Sequence, residues 1–144
     1  MTSGGHLTTV TDPAGKAARV SYNLASQPAQ TIQPNGSTVD YTYDKAGRLA
    51  VTKSSLGATT SFAYDEASRV TQVTDPVGAM ATWTYDLTGD LVAQTSLDQI
   101  SLSYAYDRLG NVASVMNSAS ETVGYTRDPI GRILTETDPL GGVM

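Results

Sequence analysis

The chain has 144 residues, a net charge of −5 and 40% apolar residues, enough for one ordinary domain. Charged residues are only 16% and form no block of one sign, which argues against nucleic acid as a partner and against long solvated helices. Cysteine is absent, which excludes a disulfide framework and a thiolate zinc site, and no apolar run reaches the roughly 18–20 residues of a membrane span.

The opening residues, Met1-Thr2-Ser3-Gly4-Gly5-His6, are polar and show no signal peptide, so any export signal is expected upstream. From there the chain is a tandem repeat with a period of 21 residues. Asp44, Asp65, Asp86, Asp107 and Asp128 stand one period apart, with Asn23 one step earlier. The residue before each is Tyr22, Tyr43, Tyr64, Tyr85 and Tyr106, then Arg127. Two positions further back stand Val20, Tyr41, Phe62, Trp83, Tyr104 and Tyr125. These two columns hold every aromatic residue of the protein.

Three residues after the aspartate column come Gly47, Ser68, Gly89, Gly110 and Gly131. Arg48, Arg69, Asp90, Asn111 and Arg132 follow, and then the apolar column Leu49, Val70, Leu91, Val112 and Ile133. A second turn column reads Gly15, Gly36, Gly57, Gly78 and Gly141, broken by Gln99 and Ser120. Pro13, Pro34, Pro76 and Pro139 precede their glycines by two residues. Gly5-His6-Leu7 matches the Gly-Arg-Leu step, and Asp138-Pro139-Leu140-Gly141 is a turn between repeats. The chain therefore reads as a single array of six to seven repeats over 1–144, opening in mid-repeat and cut from a longer array.

Each repeat predicts two short strands and two turns. In Tyr41-Thr42-Tyr43-Asp44 the alternation places both aromatics on one face. Asp44-Lys45-Ala46-Gly47 has type I turn chemistry, with the carboxylate accepting from the backbone and glycine supplying positive φ on re-entry. Asp75-Pro76-Val77-Gly78 forms the second turn, Pro presetting φ and Gly leaving the turn. If Asp44 opposes Arg48, then Tyr43 opposes Leu49 and Tyr41 opposes Val51. The reverse face would set Thr42, Ala63, Thr84, Ala105 and Thr126 against Ala50, Thr71, Val92, Ala113 and Leu134. The count comes to about 13 strands, a sheet roughly 60 Å wide at about 4.8 Å per strand. No helix is expected. A sheet this wide must curl, pack against a partner or belong to a larger wall, and its exposed edges invite self-association.

Tyr41-Thr42-Tyr43-Asp44-Lys45-Ala46-Gly47-Arg48-Leu49 resembles the YD repeat, also called the Rhs repeat. Tyr104-Ala105-Tyr106-Asp107-Arg108-Leu109-Gly110-Asn111-Val112 repeats the pattern, and Tyr22-Asn23 and Tyr125-Thr126-Arg127-Asp128 are weaker copies. The resemblance covers nearly the whole chain. It implies an all-β fold of tandem antiparallel hairpins, wound as a long curved or spiral sheet into a hollow shell. Similar arrays occur in bacterial Rhs polymorphic toxins, the B and C components of insecticidal Tc toxins, wall-associated proteins and teneurins. The resemblance implies a structural wall segment, not an enzyme, secreted or at the cell surface. Its expected partners are the rest of its own shell and an enclosed C-terminal effector.

Other readings of the same residues are weaker. Rhs shells often end in an Asp-Pro-x-Gly-Leu signature linked to self-cleavage, which Asp138-Pro139-Leu140-Gly141-Gly142 resembles. Asp12-Pro13 and Asp75-Pro76 occupy the same repeat column, however, so an ordinary turn is expected. The aspartate row is too widely spaced, at roughly 9–10 Å, to share a calcium ion. The aromatic columns, as a carbohydrate-stacking or cell-surface binding module, form the alternative to simple packing against the apolar column. Arg48, Arg69 and Arg132 pair most simply with Asp44, Asp65 and Asp128. One histidine, His6, and no cysteine give no support to a nucleophilic triad. No cofactor or metal is expected.

Overall fold

A computed structural model describes residues 7–11, 13, 15 and 17–144. The described residues contain thirteen strands and no helix. In chain order these are β1 (Leu7–Thr11), β2 (Ala17–Tyr22), β3 (Pro28–Ile32), β4 (Thr38–Tyr43), β5 (Leu49–Ser54), β6 (Thr59–Tyr64) and β7 (Val70–Thr74). They continue with β8 (Met80–Tyr85), β9 (Leu91–Thr95), β10 (Ser101–Tyr106), β11 (Val112–Asn117), β12 (Thr122–Arg127) and β13 (Ile133–Thr137). Sheet order equals chain order throughout, as in an antiparallel meander. Two compact units are distinguished: residues up to Arg69 with Val73–Gly78, and Val70–Gln72 with Ala79–Met144.

In the first unit, β4 and β5 are joined by the turn Asp44–Gly47. Tyr43 opposes Leu49, as the sequence suggests, but the register then shifts by one residue. Thr42 opposes Val51 and Tyr41 opposes Thr52, so the expected Tyr41–Val51 pair is not formed. Ala50 is left over as a β-bulge. The hairpin of β2 and β3 does the same, pairing Tyr22 with Pro28 and then Ser21 with Gln30. In the second unit the three hairpins β8–β9, β10–β11 and β12–β13 repeat the shift, leaving out Val92, Ala113 and Leu134. Ala50, Val92, Ala113 and Leu134, read as facing partners on the reverse side, are thus the bulged ones. Their described places are taken by Val51, Ala93, Ser114 and Thr135, opposite Thr42, Thr84, Ala105 and Thr126.

The physical reason is parity. Paired residues in a sheet share a face, and a slip of one residue reverses it. Tyr41 pairs with Thr52, Thr52 pairs with Thr60, and Thr60, Phe62 and Tyr64 share a face of β6. Both aromatic columns therefore stay on one side from copy to copy. With Tyr41 against Val51, the chain of pairs would run through Ser61, and Phe62 would point the other way. The second unit obeys the same logic through Trp83–Gln94–Leu102 and Tyr104–Val115–Val123. The burial pattern agrees: Thr42, Ala63, Thr84, Ala105 and Thr126 are exposed between half-buried neighbours.

Little of the chain is enclosed. Among the described residues the only buried apolar side chain is Ala81, and no polar side chain is buried. Stability must come from pairing within the sheet and from side chains that bridge neighbouring strands, not from a closed core.

Deleting Ala50 alone should lower the urea midpoint of unfolding steeply, because every side chain beyond it changes face. Deleting a full period, residues 43–63, should keep the strand signal in circular dichroism and lower the midpoint only modestly. Equal tolerance of the two deletions would contradict the parity argument.

Candidate functional site

The recurring constellation is the tyrosine–aspartate turn. At Asp44 the backbone makes two bonds, Gly47 N–H to Asp44 C=O at 3.0 Å and Asp44 N–H to Arg48 C=O at 2.8 Å. Oδ1 of Asp44 accepts from the N–H groups of Ala46 and Arg48, both at 2.9 Å, and Oδ2 accepts from Arg48 Nε at 2.8 Å. Gly47 sits at φ 80°, in the left-handed region where glycine meets no steric penalty. Asp65–Arg69 and Asp128–Arg132 form the same ion pair at 2.7 Å each. Asp107 caps Leu109 and Asn111, and Asp86 caps Thr88, Gly89 and Asp90, with Thr88 Oγ1 adding a bond at 2.7 Å. Asn23 makes the same two caps with its amide oxygen.

The second turns have the same backbone form. Gly78 N–H donates to Asp75 C=O at 3.1 Å and Val77 N–H to Asp75 Oδ1 at 2.9 Å, with Pro76 between them and Gly78 at φ 89°. Gln99 and Ser120 stand in the glycine column yet still adopt φ 63°. Asp138 is a cap of this kind: it is exposed, and its Oδ1 accepts from Leu140 and Gly142 N–H at 2.8 Å each. His6 and Asp12 lie outside the described residues.

These contacts hold the aspartates in their charged form. Asp44 and Asp65 are pulled below the ordinary carboxylate range, first by the N–H of Arg48 or Arg69, against partial desolvation, and then by the guanidinium itself. Asp107 is lowered first by the N–H of Asn111, Asp86 by the Thr88 hydroxyl, and Asp128 by the Arg132 side chain. Each carboxylate is committed to its own turn. Among the described residues no group of three or more acidic or histidine side chains converges on a metal-sized site.

A second set of contacts, which sequence reading does not reveal, ties each copy to the one before. β5 and β6 pair only from Val51 to Lys53 and from Thr59 to Ser61, so the ladder stops short of the tyrosine turns. There the Tyr64 hydroxyl donates to the carbonyl of Leu49 at 2.9 Å. Tyr43 reaches Pro28 at 2.8 Å and Tyr106 reaches Leu91 at 2.7 Å, each fifteen residues back. Arg127, the arginine in the tyrosine column, donates through Nη1 to Val112 C=O in the same position. Arg48 Nη1 runs the other way, to Asp65 C=O at 2.7 Å, and its guanidinium lies 4.7 Å from the centroid of the Tyr64 ring. Gln27 does likewise in the first copy, with Nε2 on Gly47 C=O at 2.7 Å. The Tyr43 and Tyr106 phenols are pushed up, chiefly by burial, with Tyr41 adding to the first and Asp90 and Asp86 to the second.

The first aromatic column is placed differently. Tyr41, Phe62, Trp83, Tyr104 and Tyr125 sit mid-strand and half-buried. Tyr41 OH meets Thr31 Oγ1 at 3.3 Å, and Tyr104 OH accepts from Gln94 Nε2 at 2.9 Å. Tyr22 and Tyr85 end β2 and β8 in the second column. Gly89, Gly110 and Gly131 take φ 103°, 80° and 86°, while Ser68 takes 64°.

Comparison with known proteins agrees with this geometry. The family model described as RHS Repeat matches residues 3–38, 22–59, 43–80, 64–99 and 106–143. No curated protein matches the sequence. Among solved structures, TcdB2-TccC3-TEV is similar with a TM-score of 0.64 at 16% identity, over 85% of this chain and 8% of that one. A Photorhabdus luminescens Tc holotoxin pore carrying a TccC3 mutation is similar with a TM-score of 0.63 at 16% identity, over 85% of this chain and 7% of that one. The chain thus spans less than a tenth of the length of the solved chains it matches, and at this identity the likeness is one of fold.

Two outcomes test the turn chemistry. The aspartate pKa values are lower in the folded chain than the unfolded value of about 3.9, so between the two the unfolded chain binds more protons. The stabilisation is complete above about pH 4 and is lost as pH falls through the folded values. Acid unfolding followed by circular dichroism should therefore set in below about pH 4. Replacing Asp44, Asp65, Asp86, Asp107 and Asp128 with Asn should flatten that profile; an unchanged profile would sink the assignment. Separately, Tyr64→Phe should cost about 1 kcal/mol in urea unfolding through the lost hydroxyl bond, and Arg127→Tyr should be neutral or stabilising.

Proposed function

Because the chain belongs to the RHS repeat family, we propose that it is one array of repeats forming a stretch of wall in a longer β-shell that encloses a toxin or effector cargo. The observation that carries this reading is the side-chain lock between successive copies. Tyr43, Tyr64, Tyr106 and Arg127 of the second column each bind a carbonyl of the preceding copy, so copies add in series without a second layer. The fold likeness to TcdB2-TccC3 structures supports a toxin setting, and with it a secreted or cell-surface location. On this reading the partners are the remaining repeats of the shell and a C-terminal effector.

The test is limited proteolysis of the protein encoded by the complete reading frame. The segment following the repeats should resist a nonspecific protease in the native particle and become sensitive after acid or urea opens the wall. Equal sensitivity before and after opening would overturn the enclosure reading.

A further inference from the structure

We propose that Asn35 is a self-modifying site, at which the Gly36 nitrogen closes a succinimide on the Asn35 side chain and water opens it to aspartate and isoaspartate. This is independent of the wall reading, since it rests on one turn of the first unit and needs no neighbouring repeat.

Asn35 and Gly36 stand in the turn between β3 and β4, and both are exposed. Gln33 N–H donates to Ser37 C=O and Gly36 N–H to Gln33 C=O, each at 2.8 Å. Oδ1 of Asn35 accepts twice from Ser37, from its N–H at 3.0 Å and from its Oγ–H at 2.7 Å. A bond to the N–H two residues on folds the side chain back across the Asn35–Gly36 peptide, which turns Cγ toward the Gly36 nitrogen. Gly36 brings no side chain to shield that nitrogen, and the space a Cβ would take there has no neighbour within 4 Å.

The reaction consumes water alone and releases ammonia. Hydroxide takes the proton of Gly36 N–H, and the nitrogen attacks Cγ of Asn35. The new negative charge falls on Oδ1, where the two Ser37 donors already stand at the distance that stabilises a developing oxyanion. The Cγ–Nδ2 bond then breaks, and Nδ2 takes a proton from water and leaves as ammonia. Water opens the resulting ring in one of two ways. Cleavage between Cγ and the Gly36 nitrogen gives an ordinary aspartate at position 35. Cleavage at the main-chain carbonyl gives isoaspartate, with Gly36 joined through Cγ. Either product adds a carboxylate, and isoaspartate also lengthens the backbone of the turn by a methylene.

The structure singles out Asn35 among the asparagines of the chain. Elsewhere the amide that must depart is held. Asn23 Nδ2 donates to Gln27 Oε1 at 3.1 Å, Asn111 Nδ2 to Asp107 Oδ2 at 3.2 Å, and Asn117 Nδ2 to Glu121 Oε2 at 2.6 Å. Their following residues, Leu24, Val112 and Ser118, all carry side chains that crowd the attacking nitrogen. The Asn35 amide nitrogen meets no acceptor among the described residues, while its carbonyl oxygen alone among these asparagines accepts from a hydroxyl. The restraint on the reaction is the Gly36 N–H bond to Gln33, which must open before the proton leaves.

Incubating the folded chain in mildly alkaline buffer tests this. Isoaspartate is read by methyl transfer from S-adenosylmethionine with an L-isoaspartate methyltransferase, and it is placed by peptide mass mapping. It should form at position 35 in proportion to hydroxide concentration and stay absent from positions 23, 111 and 117. Asn35→Gln should remove the signal. Ser37→Ala should slow the reaction several-fold, and Ser37→Thr, which keeps the hydroxyl, should restore the rate. A merely structural role for Ser37 gives the opposite sign, since a looser turn frees the Gly36 N–H and quickens the reaction. The proposal is overturned if the urea-unfolded chain reacts and the folded chain does not, if isoaspartate forms equally at Asn117, or if Ser37→Ala reacts as fast as the original chain.

Discussion

An odd repeat length imposes a constraint on an antiparallel sheet. Successive side chains alternate between faces, so a period of 21 residues on its own would send each copy's aromatics to the side opposite the last. One bulge per copy, at Ala50 and its equivalents, restores the phase. The tyrosine lock and the guanidinium over a ring both require it, because each needs consecutive copies to present the same face. The turns alternate in spacing for the same reason. From Asp44 to Ser54 the step is even and from Ser54 to Asp65 it is odd, although all three residues open turns with the same backbone bonds.

The division of labour within a copy follows. At one end of each strand pair the backbone ladder joins neighbours directly, as between Val51–Lys53 and Thr59–Ser61. At the tyrosine end the ladder stops, and long side chains act in its place. A phenol or guanidinium reaching a backbone carbonyl satisfies an acceptor left open where the ladder to the next strand stops. This explains how Arg127 can stand among tyrosines: the position needs a long donor, not an aromatic ring. It also explains how the sheet holds together with only Ala81 buried among the described residues.

Much of this was legible in the sequence. The strands, the turns and the two aromatic columns are written in residue type, because turns need Asp and Gly and strands favour rings. The bulge was not legible, because Ala50, Val92, Ala113 and Leu134 are apolar residues no different in kind from those paired within the strands; only a pairing register reveals that each lacks a partner. The lock was hidden for a different reason. Its acceptor is a backbone carbonyl, which every residue carries, so the columns show the donor but not its target. A spacing of fifteen residues between tyrosine and acceptor would have been a clue only to a reader who already placed the bulge.

The register at the bulge is the point on which the account rests, and nuclear Overhauser contacts across β4 and β5 measure it directly. The account predicts backbone contacts between Tyr41 and Thr52 and between Thr42 and Val51. Contacts between Tyr41 and Val51, with Ala50 paired opposite Thr42, would contradict it.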